Sequence, residues 1–200
     1  HESSYANIQR RTLLQLLSDV SIKKYPNIKI HLANSAGTLI DNDFHFDMVR
    51  VGLCMYGYKP SQYQSHLKLK PAMSLKSKVS FIRIVDNNVG ISYGKKFITS
   101  KKTKLAVISI GYADGIYRTL SNKISLIHNG KKYPQIGSIT MDQLMIDITG
   151  ANDINVGDTV TLLGCDSGQC ISPVDWADAA ETIPWEILCA FKNRLPRVQI

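Results

Sequence analysis

The chain has 200 residues, 44% of them hydrophobic and 20% charged, and a formal net charge of +8. That balance excludes a disordered chain, and no run approaches the ~20 apolar residues a membrane helix needs. At roughly 100–200 residues per domain the length allows one or two domains. The lysines fall in scattered pairs such as Lys23-Lys24, Lys95-Lys96 and Lys131-Lys132, without interleaved aromatics, so no nucleic-acid partner is expected. The polar start His1-Glu2-Ser3-Ser4 is no signal peptide. Cys165 and Cys170 have no partner pair at zinc spacing. No metal is expected, and Cys54, Cys165, Cys170 and Cys189 read as buried thiols in a reducing cytoplasm. A Cys165–Cys170 loop disulfide is the alternative.

Residues 7–21 read as an amphipathic helix, with Ile8, Leu13, Leu14, Leu16, Leu17 and Val20 on one face and Gln9, Arg10 and Arg11 on the other. Residues 23–27 form a turn broken by Pro26. Residues 28–33 read as a strand that ends in the strand-to-helix turn Asn34-Ser35, with an N-cap. Residues 36–40 then form a short helix, and residues 48–53 a second, buried strand. This α-β-α-β order is the grammar of parallel sheets. Two parallel strands neither close a barrel nor cover both faces of a sheet, so something upstream must complete them.

Residues 59–66 read as a polar linker. From Pro71 on, short strand-like runs recur at 73–85, 104–110, 124–128, 144–148 and 159–163, separated by turn residues. That is the pattern of an all-β barrel or sandwich. Asn129-Gly130 signals a type I′ hairpin. Ser172 caps a short helix with Pro173 at its first position. Residues 187–191 contain no breaker and read as a second helix.

Three turn-like stretches carry polar groups that core-building does not ask for. The run 105–110 stops at Gly111-Tyr112-Ala113-Asp114-Gly115, where Asp-Gly is turn chemistry. Arg118 follows within one turn, so Tyr112, Asp114 and Arg118 are expected close together. A hairpin whose Tyr packs and whose Asp caps the turn explains the same residues. Tyr93-Gly94 and Met141-Asp142-Gln143 are the other two stretches. A tyrosine with the ordinary pKa near 10 is only ~0.1% ionised at pH 7, so Tyr93 as a base needs a cationic neighbour. In the first part of the chain, His31, Asn34 and Ser35 stand at one strand end, with Arg50 and Gly52-Leu53 at the matching end of the next. Such paired βα ends suit a phosphate; a capping Ser, a satisfied His and a surface Arg are the alternative.

Taken together, these segments resemble the alanine racemase family. The carrying motifs are His31-Leu32-Ala33-Asn34-Ser35-Ala36, the run 46–57 through Arg50 and Gly52-Leu53, Ile91-Ser92-Tyr93-Gly94, Gly111-Tyr112-Ala113-Asp114-Gly115 with Arg118, Met141-Asp142-Gln143, Glu181-Thr182-Ile183, and Arg194-Leu195-Pro196-Arg197-Val198. They occur in the family's order from near residue 1 to the end. The resemblance implies an α/β plus all-β fold. Residues 1–65 would be the last two βα units of a TIM-type barrel, and residues 66–200 a mainly antiparallel, β-barrel-like domain.

It further implies a cofactor, pyridoxal 5'-phosphate, bound by Ser35, Gly52 and Leu53 with Asn34 close by. Arg50 would face the pyridine nitrogen, supported by His31. Tyr93 would take the α-proton of L-alanine, and the lysine that holds the cofactor would serve the other face; that lysine's motif is not found in this chain. Met141 would contact the substrate carboxylate. Tyr112, Arg118, Asp142, Ile183 and Trp185 would line the entrance. Tyr93 and Met141 would reach the site of the other subunit of a homodimer. Two positions depart from the family's pattern: Trp185 stands where a tyrosine is usual, and Ser138 where many members carry a basic entrance residue. Both leave room for a serine or broad-specificity racemase. A non-catalytic β-barrel interaction module is the reading from another class.

Overall fold

The computed structural model describes residues 2–19, 24–60 and 67–199. Val20, Ser21 and Lys23, and the linker from residue 61 to 66, lie outside the described residues. The chain forms two compact units, His1–Ala72 and Met73–Ile200.

In the first unit, helix α1 (Glu2–Asp19) starts earlier than its apolar pattern suggests. Strand β1 (His31–Asn34) leads directly into helix α2 (Ser35–Ile40), and β2 (Met48–Arg50) pairs with β1 in parallel. The expected α-β-α-β order is present, with strands shorter than the apolar runs. Asn34 is the N-cap of α2, its side chain accepting from Gly37 N at 2.9 Å. The second strand was expected to be buried, and it is not. Met48 is 45% exposed and Arg50 is exposed, because a two-stranded parallel sheet offers each strand only one neighbour and covers neither face.

The second unit builds a barrel. Strands β3 (Leu75–Val85), β6 (Thr103–Ile108), β7 (Ser125–His128), β8 (Lys131–Ile136), β9 (Leu144–Asp147) and β10 (Thr159–Asp166) pair antiparallel in the order β10-β3-β6-β9-β8-β7. The pairing of Thr161 in β10 with Ile127 in β7 closes the ring, which removes the open edges that an antiparallel sheet otherwise exposes. The small ribbon β4 (Gly90–Ile91) and β5 (Phe97–Ile98) stands outside the ring and carries Tyr93 between its strands. Strand β11 (Gln169–Ile171) extends β10 as a hairpin.

The Asn129-Gly130 turn has the backbone its sequence demands: both residues are left-handed, at φ 48° and 72°, between β7 and β8. Inside the ring, Ala106, Ile108, Leu126, Leu144, Ile146, Val160 and Leu162 have no more than 0% exposure. Helices α3 (Pro173–Ala180) and α4 (Pro184–Cys189) bring Trp176, Ala177 and Ile187 into the same cluster. Helix α3 starts as its sequence dictates: Ser172 accepts from Asp175 N at 3.2 Å, and Asp175 accepts from Ser172 N at 2.6 Å.

The cysteines correct the reading. Cys165 and Cys170 are an exposed cross-strand pair joined as a disulfide over the two-residue turn between β10 and β11. Cys189 is exposed and Cys54 only half-buried, both as free thiols. Alternating burial explains the miss, since residues facing each other across a hairpin tip are neighbours in a way that linear spacing does not advertise. Among the described residues no helix is long and apolar enough to cross a membrane, and no His/Cys/Asp/Glu group is arranged to hold a metal.

Candidate active site

In the first unit the residues expected around a phosphate and a ring stand at the matching ends of β1 and β2. The Ser35 side chain is buried and its hydroxyl accepts from Gly52 N at 2.9 Å and from Cys54 N at 3.5 Å. This ties the end of β1 to the turn that follows β2. It also spends the Gly52 amide on Ser35, leaving the hydroxyl proton of Ser35 free to be donated outward. One residue earlier, Asn34 spends its carbonyl oxygen on capping α2.

Arg50 donates through Nη1 to Nδ1 of His31 and through Nη2 to Leu32 O at 3.2 Å. An arginine has no lone pair to accept with, so Nδ1 of His31 is the acceptor and its ring proton lies on Nε2. The His31–Arg50 pair therefore orients a guanidinium without neutralising it. A cavity of about 390 Å³ in this unit is lined by Tyr5, Gln9, Leu32, Asn34, Gly37 and Arg50. A hydroxyl that can donate and a fixed guanidinium form a donor set that fits a phosphate ester carrying an unprotonated ring nitrogen.

In the second unit three loops are stitched together. Ser138 Oγ donates to Tyr93 O at 2.8 Å, and Ser92 Oγ donates to Ser138 O at 2.7 Å. Tyr112 N donates to Thr140 O and Ala113 N to Met141 O, both at 2.9 Å. Gly111 makes the second contact possible, since a Cβ there would lie 2.3 Å from Thr140 O and 2.5 Å from Asp142 N. Tyr93, Tyr112 and Met141 are thereby brought onto connected loops with their side chains outward, at 75%, 44% and 58% exposure. Asp142 and Arg118 are also exposed. Ile183 and Trp185 are exposed at the start of α4, and no described contact ties them to the three loops.

Two expectations change here. Asp114 was expected beside Arg118, yet its partner is Arg194, 80 residues on: Nε of Arg194 donates to Asp114 Oδ1 at 2.7 Å. The other carboxylate oxygen of Asp114 accepts from Gly111 N at 3.0 Å. The hydrogen bond and charge of Asp114 hold the Arg194 guanidinium further in its charged form. The carboxylate is thus a buried structural tie, and Arg118 remains free to face the surface. Ser138, placed at the entrance by resemblance, is 1% exposed and sits beneath Tyr93. A short polar residue between Gly137 and the apolar Ile139 was the only local hint of that role.

A cleft of about 810 Å³ in this unit is lined by Tyr112, Tyr117, Arg118, Glu186, Cys189 and Lys192, among others. It includes two expected entrance residues but neither Tyr93 nor Met141, so it lies beside the tyrosine loop, not at it. Tyr117 donates to Glu186 O at 3.1 Å in its wall. Burial first, then the charges of Glu186 and Cys189, push the Tyr117 phenol above its usual pKa.

Residues 72–199 match the family model for the alanine racemase C-terminal domain, and residues 1–60 that for the alanine racemase N-terminal domain. The chain belongs to the alanine racemase family. It is 52% identical over 199 residues to an alanine racemase of Prochlorococcus marinus, covering 99% of this chain and 51% of that protein. An alanine racemase of Nostoc is 49% identical over 172 residues, covering 86% of this chain and 45% of the relative.

Among solved structures, the alanine racemase of Bacillus anthracis with bound L-Ala-P matches 99% of this chain and 51% of its own, with 37% identity and a TM-score of 0.89. The alanine racemase of Bartonella henselae, with covalently bound pyridoxal phosphate, matches 100% and 53%, with 34% identity and a TM-score of 0.85. The expected α/β plus all-β fold holds. The chain spans about half the length of the alanine racemases it matches.

Proposed function

We propose that the whole protein to which this chain belongs is a pyridoxal 5'-phosphate-dependent alanine racemase that interconverts L- and D-alanine. The observation that carries this reading is the tyrosine loop. Tyr93 is 75% exposed on a loop held by two serine hydrogen bonds. A tyrosine that served only to pack would be turned inward. The names and ligands of the relatives, L-Ala-P and pyridoxal phosphate, point to the same substrate and cofactor.

When bound, the cofactor supplies an electron-withdrawing ring that acidifies the α-C–H of the amino acid. The residues of this chain do the rest. Ser35 donates its hydroxyl proton to the phosphate, with the Gly52-Leu53 turn and Asn34 around it. Arg50, oriented by His31, donates to the pyridine nitrogen and keeps it unprotonated, because a guanidinium does not give up its proton. That limits electron withdrawal to what proton removal needs. Tyr93 takes or returns the proton on the face from which L-alanine loses it. Met141 presents its backbone amide to the carboxylate. Tyr112, Arg118, Asp142, Ile183 and Trp185 select what enters.

The enzyme works as a homodimer, Tyr93 and Met141 of each chain serving the partner's cofactor, in the cytoplasm, where D-alanine is supplied to peptidoglycan precursors. These 200 residues by themselves do not turn over alanine, since the second base is a lysine whose motif they lack. Trp185 supports a second reading, a serine or broad-specificity racemase, because an indole donates one hydrogen bond and accepts none.

The test is α-proton exchange of L-alanine in D2O, on the complete gene product supplied with pyridoxal phosphate. Exchange accompanied by D-alanine is the expected result. Faster exchange of L-serine would move the assignment to a serine racemase. Bound cofactor without exchange of either amino acid would overturn both.

A further inference from the structure

We propose that Ser138, together with Ser92, is a positioning residue for Tyr93, a two-bond clamp that holds the phenol on its line to the substrate. The proposal rests on the reading of Tyr93 as the group that moves the α-proton.

The loop that carries Tyr93 is not one its own residues favour. Ser92, Gly94 and Lys95 all have left-handed backbones, at φ 62°, 71° and 46°. Glycine adopts this region freely, but serine and lysine do so rarely and stay there only where surrounding structure holds them. The ribbon around the loop is short, two residues in each of β4 and β5. Within the loop itself the backbone bond from Lys95 N to Ser92 O is long, at 3.4 Å. What holds the loop comes from elsewhere in the sequence.

Ser138 lies 45 residues away, and its hydroxyl donates to the main-chain oxygen of Tyr93 itself at 2.8 Å. The bond from Ser92 Oγ to Ser138 O, at 2.7 Å, runs in the opposite direction. The two bonds bracket the peptide unit between Ser92 and Tyr93. Ser138 is 1% exposed, and its neighbour Gly137 approaches Ile91 so closely that a Cβ would lie 2.7 Å from Ile91 O. The clamp is therefore anchored in the barrel wall, next to the end of β8. Without the Ser138 hydroxyl, the Tyr93 carbonyl loses this partner and the strained turn loses its anchor.

A general base acts only within hydrogen-bond reach of its proton, and a displacement of about 1 Å can cost on the order of 100-fold in rate. In the complete protein with its cofactor, Ser138→Ala is expected to lower kcat by about 10- to 100-fold with KM changed less than about three-fold. Ser138→Thr, which restores the hydroxyl, should recover most of the loss.

Two further readouts separate positioning from general damage. The isotope effect on kcat/KM should rise for L-alanine deuterated at Cα, whose deuteron Tyr93 removes, and fall for D-alanine deuterated at Cα. A merely destabilised enzyme would lose activity without that asymmetry. Independently of turnover, hydrogen exchange at the amides of residues 92–96 should quicken in Ser138→Ala.

Unchanged isotope effects and unchanged exchange in Ser138→Ala would overturn the clamp. If Ser138→Ala does not fold, Ser92→Gly decides by the same readouts, since glycine accepts φ 62° and removes only the second bond. A wild-type protein with bound cofactor and no α-proton exchange would instead overturn the racemase reading; the hydrogen-exchange result would still judge whether Ser138 holds the loop.

Discussion

Both units of this chain are drawn from sequence with ordinary apolar content, yet only one of them encloses its own core. Every member of the two buried hydrophobic clusters lies at Leu75 or beyond. In the first unit, by contrast, Ile8, Leu14, Leu16, Ile28 and Met48 are all more than 40% exposed. The reason is topological. The second unit returns its chain through hairpins until β10 meets β7 and the ring closes, so its apolar side chains find partners within 128 residues. The first unit's parallel pair needs further strands and helices to cover it. An apolar pattern thus states what an element wants to bury, and the rest of the fold decides whether it succeeds.

The sharpest way to break this comparison is a pair of truncations. Leu126→Ala, at 0% exposure in the closed barrel, should destabilise the chain by about 2–5 kcal/mol. Leu16→Ala, at 55% exposure on α1, should change stability by less than about 0.5 kcal/mol in this 200-residue chain. Denaturant melts of both would settle it, and equal costs would show that α1 is packed after all.

Reducing the Cys165–Cys170 bond should cost about 2 kcal/mol, because it closes only a short loop and so restrains the unfolded chain modestly. The drop should appear in the barrel's melt with and without a reductant, and Cys165→Ser with Cys170→Ser should abolish the difference. Gly111→Ala tests whether the link between the Tyr112 and Met141 loops is as close as it looks. The added methyl would meet Thr140 O at 2.3 Å, and overpacking of this kind costs about 1–3 kcal/mol. In the complete protein it should also slow turnover, by disturbing Met141.

The smallest expected effect is alkaline. Burial is the main cause that raises the phenols of Tyr117 and Tyr133 above 10, with Glu186 and Asp153 respectively adding to it. A folded-state pKa above the unfolded one contributes stability that is complete below pH 10 and is lost as pH rises through the folded value. Stability should therefore hold to about pH 10 and then fall, and Tyr133→Phe should flatten that fall.

How much of this was legible beforehand differs by kind of signal. Local chemistry read well: Asn129-Gly130 made its turn, Ser172-Pro173 opened its helix, and Asn34-Ser35 marked the change from strand to helix. The site residues were visible only as motifs in register, since no spacing rule links Tyr93 to Met141. Pairings across long separations were not visible at all. Arg118, four residues from Asp114, was the obvious partner, but Arg194 took the place. Ser138 stood out only for replacing a basic entrance residue of the family, and it is buried under Tyr93.

The order of residues by itself determined the turns, the caps, the two classes of element and the family. Each depends on interactions between near neighbours or on motifs carried intact along the chain. Only the tertiary structure decided which apolar runs are buried, which arginine meets Asp114, that Cys165 faces Cys170, and which serine supports the tyrosine loop. The cysteine pair depends on the β10–β11 hairpin, and the others on groups that the folded chain brings together from distant positions. A carboxylate or a hydroxyl entering a core is bound by whichever partner the closed fold delivers, at any distance in sequence.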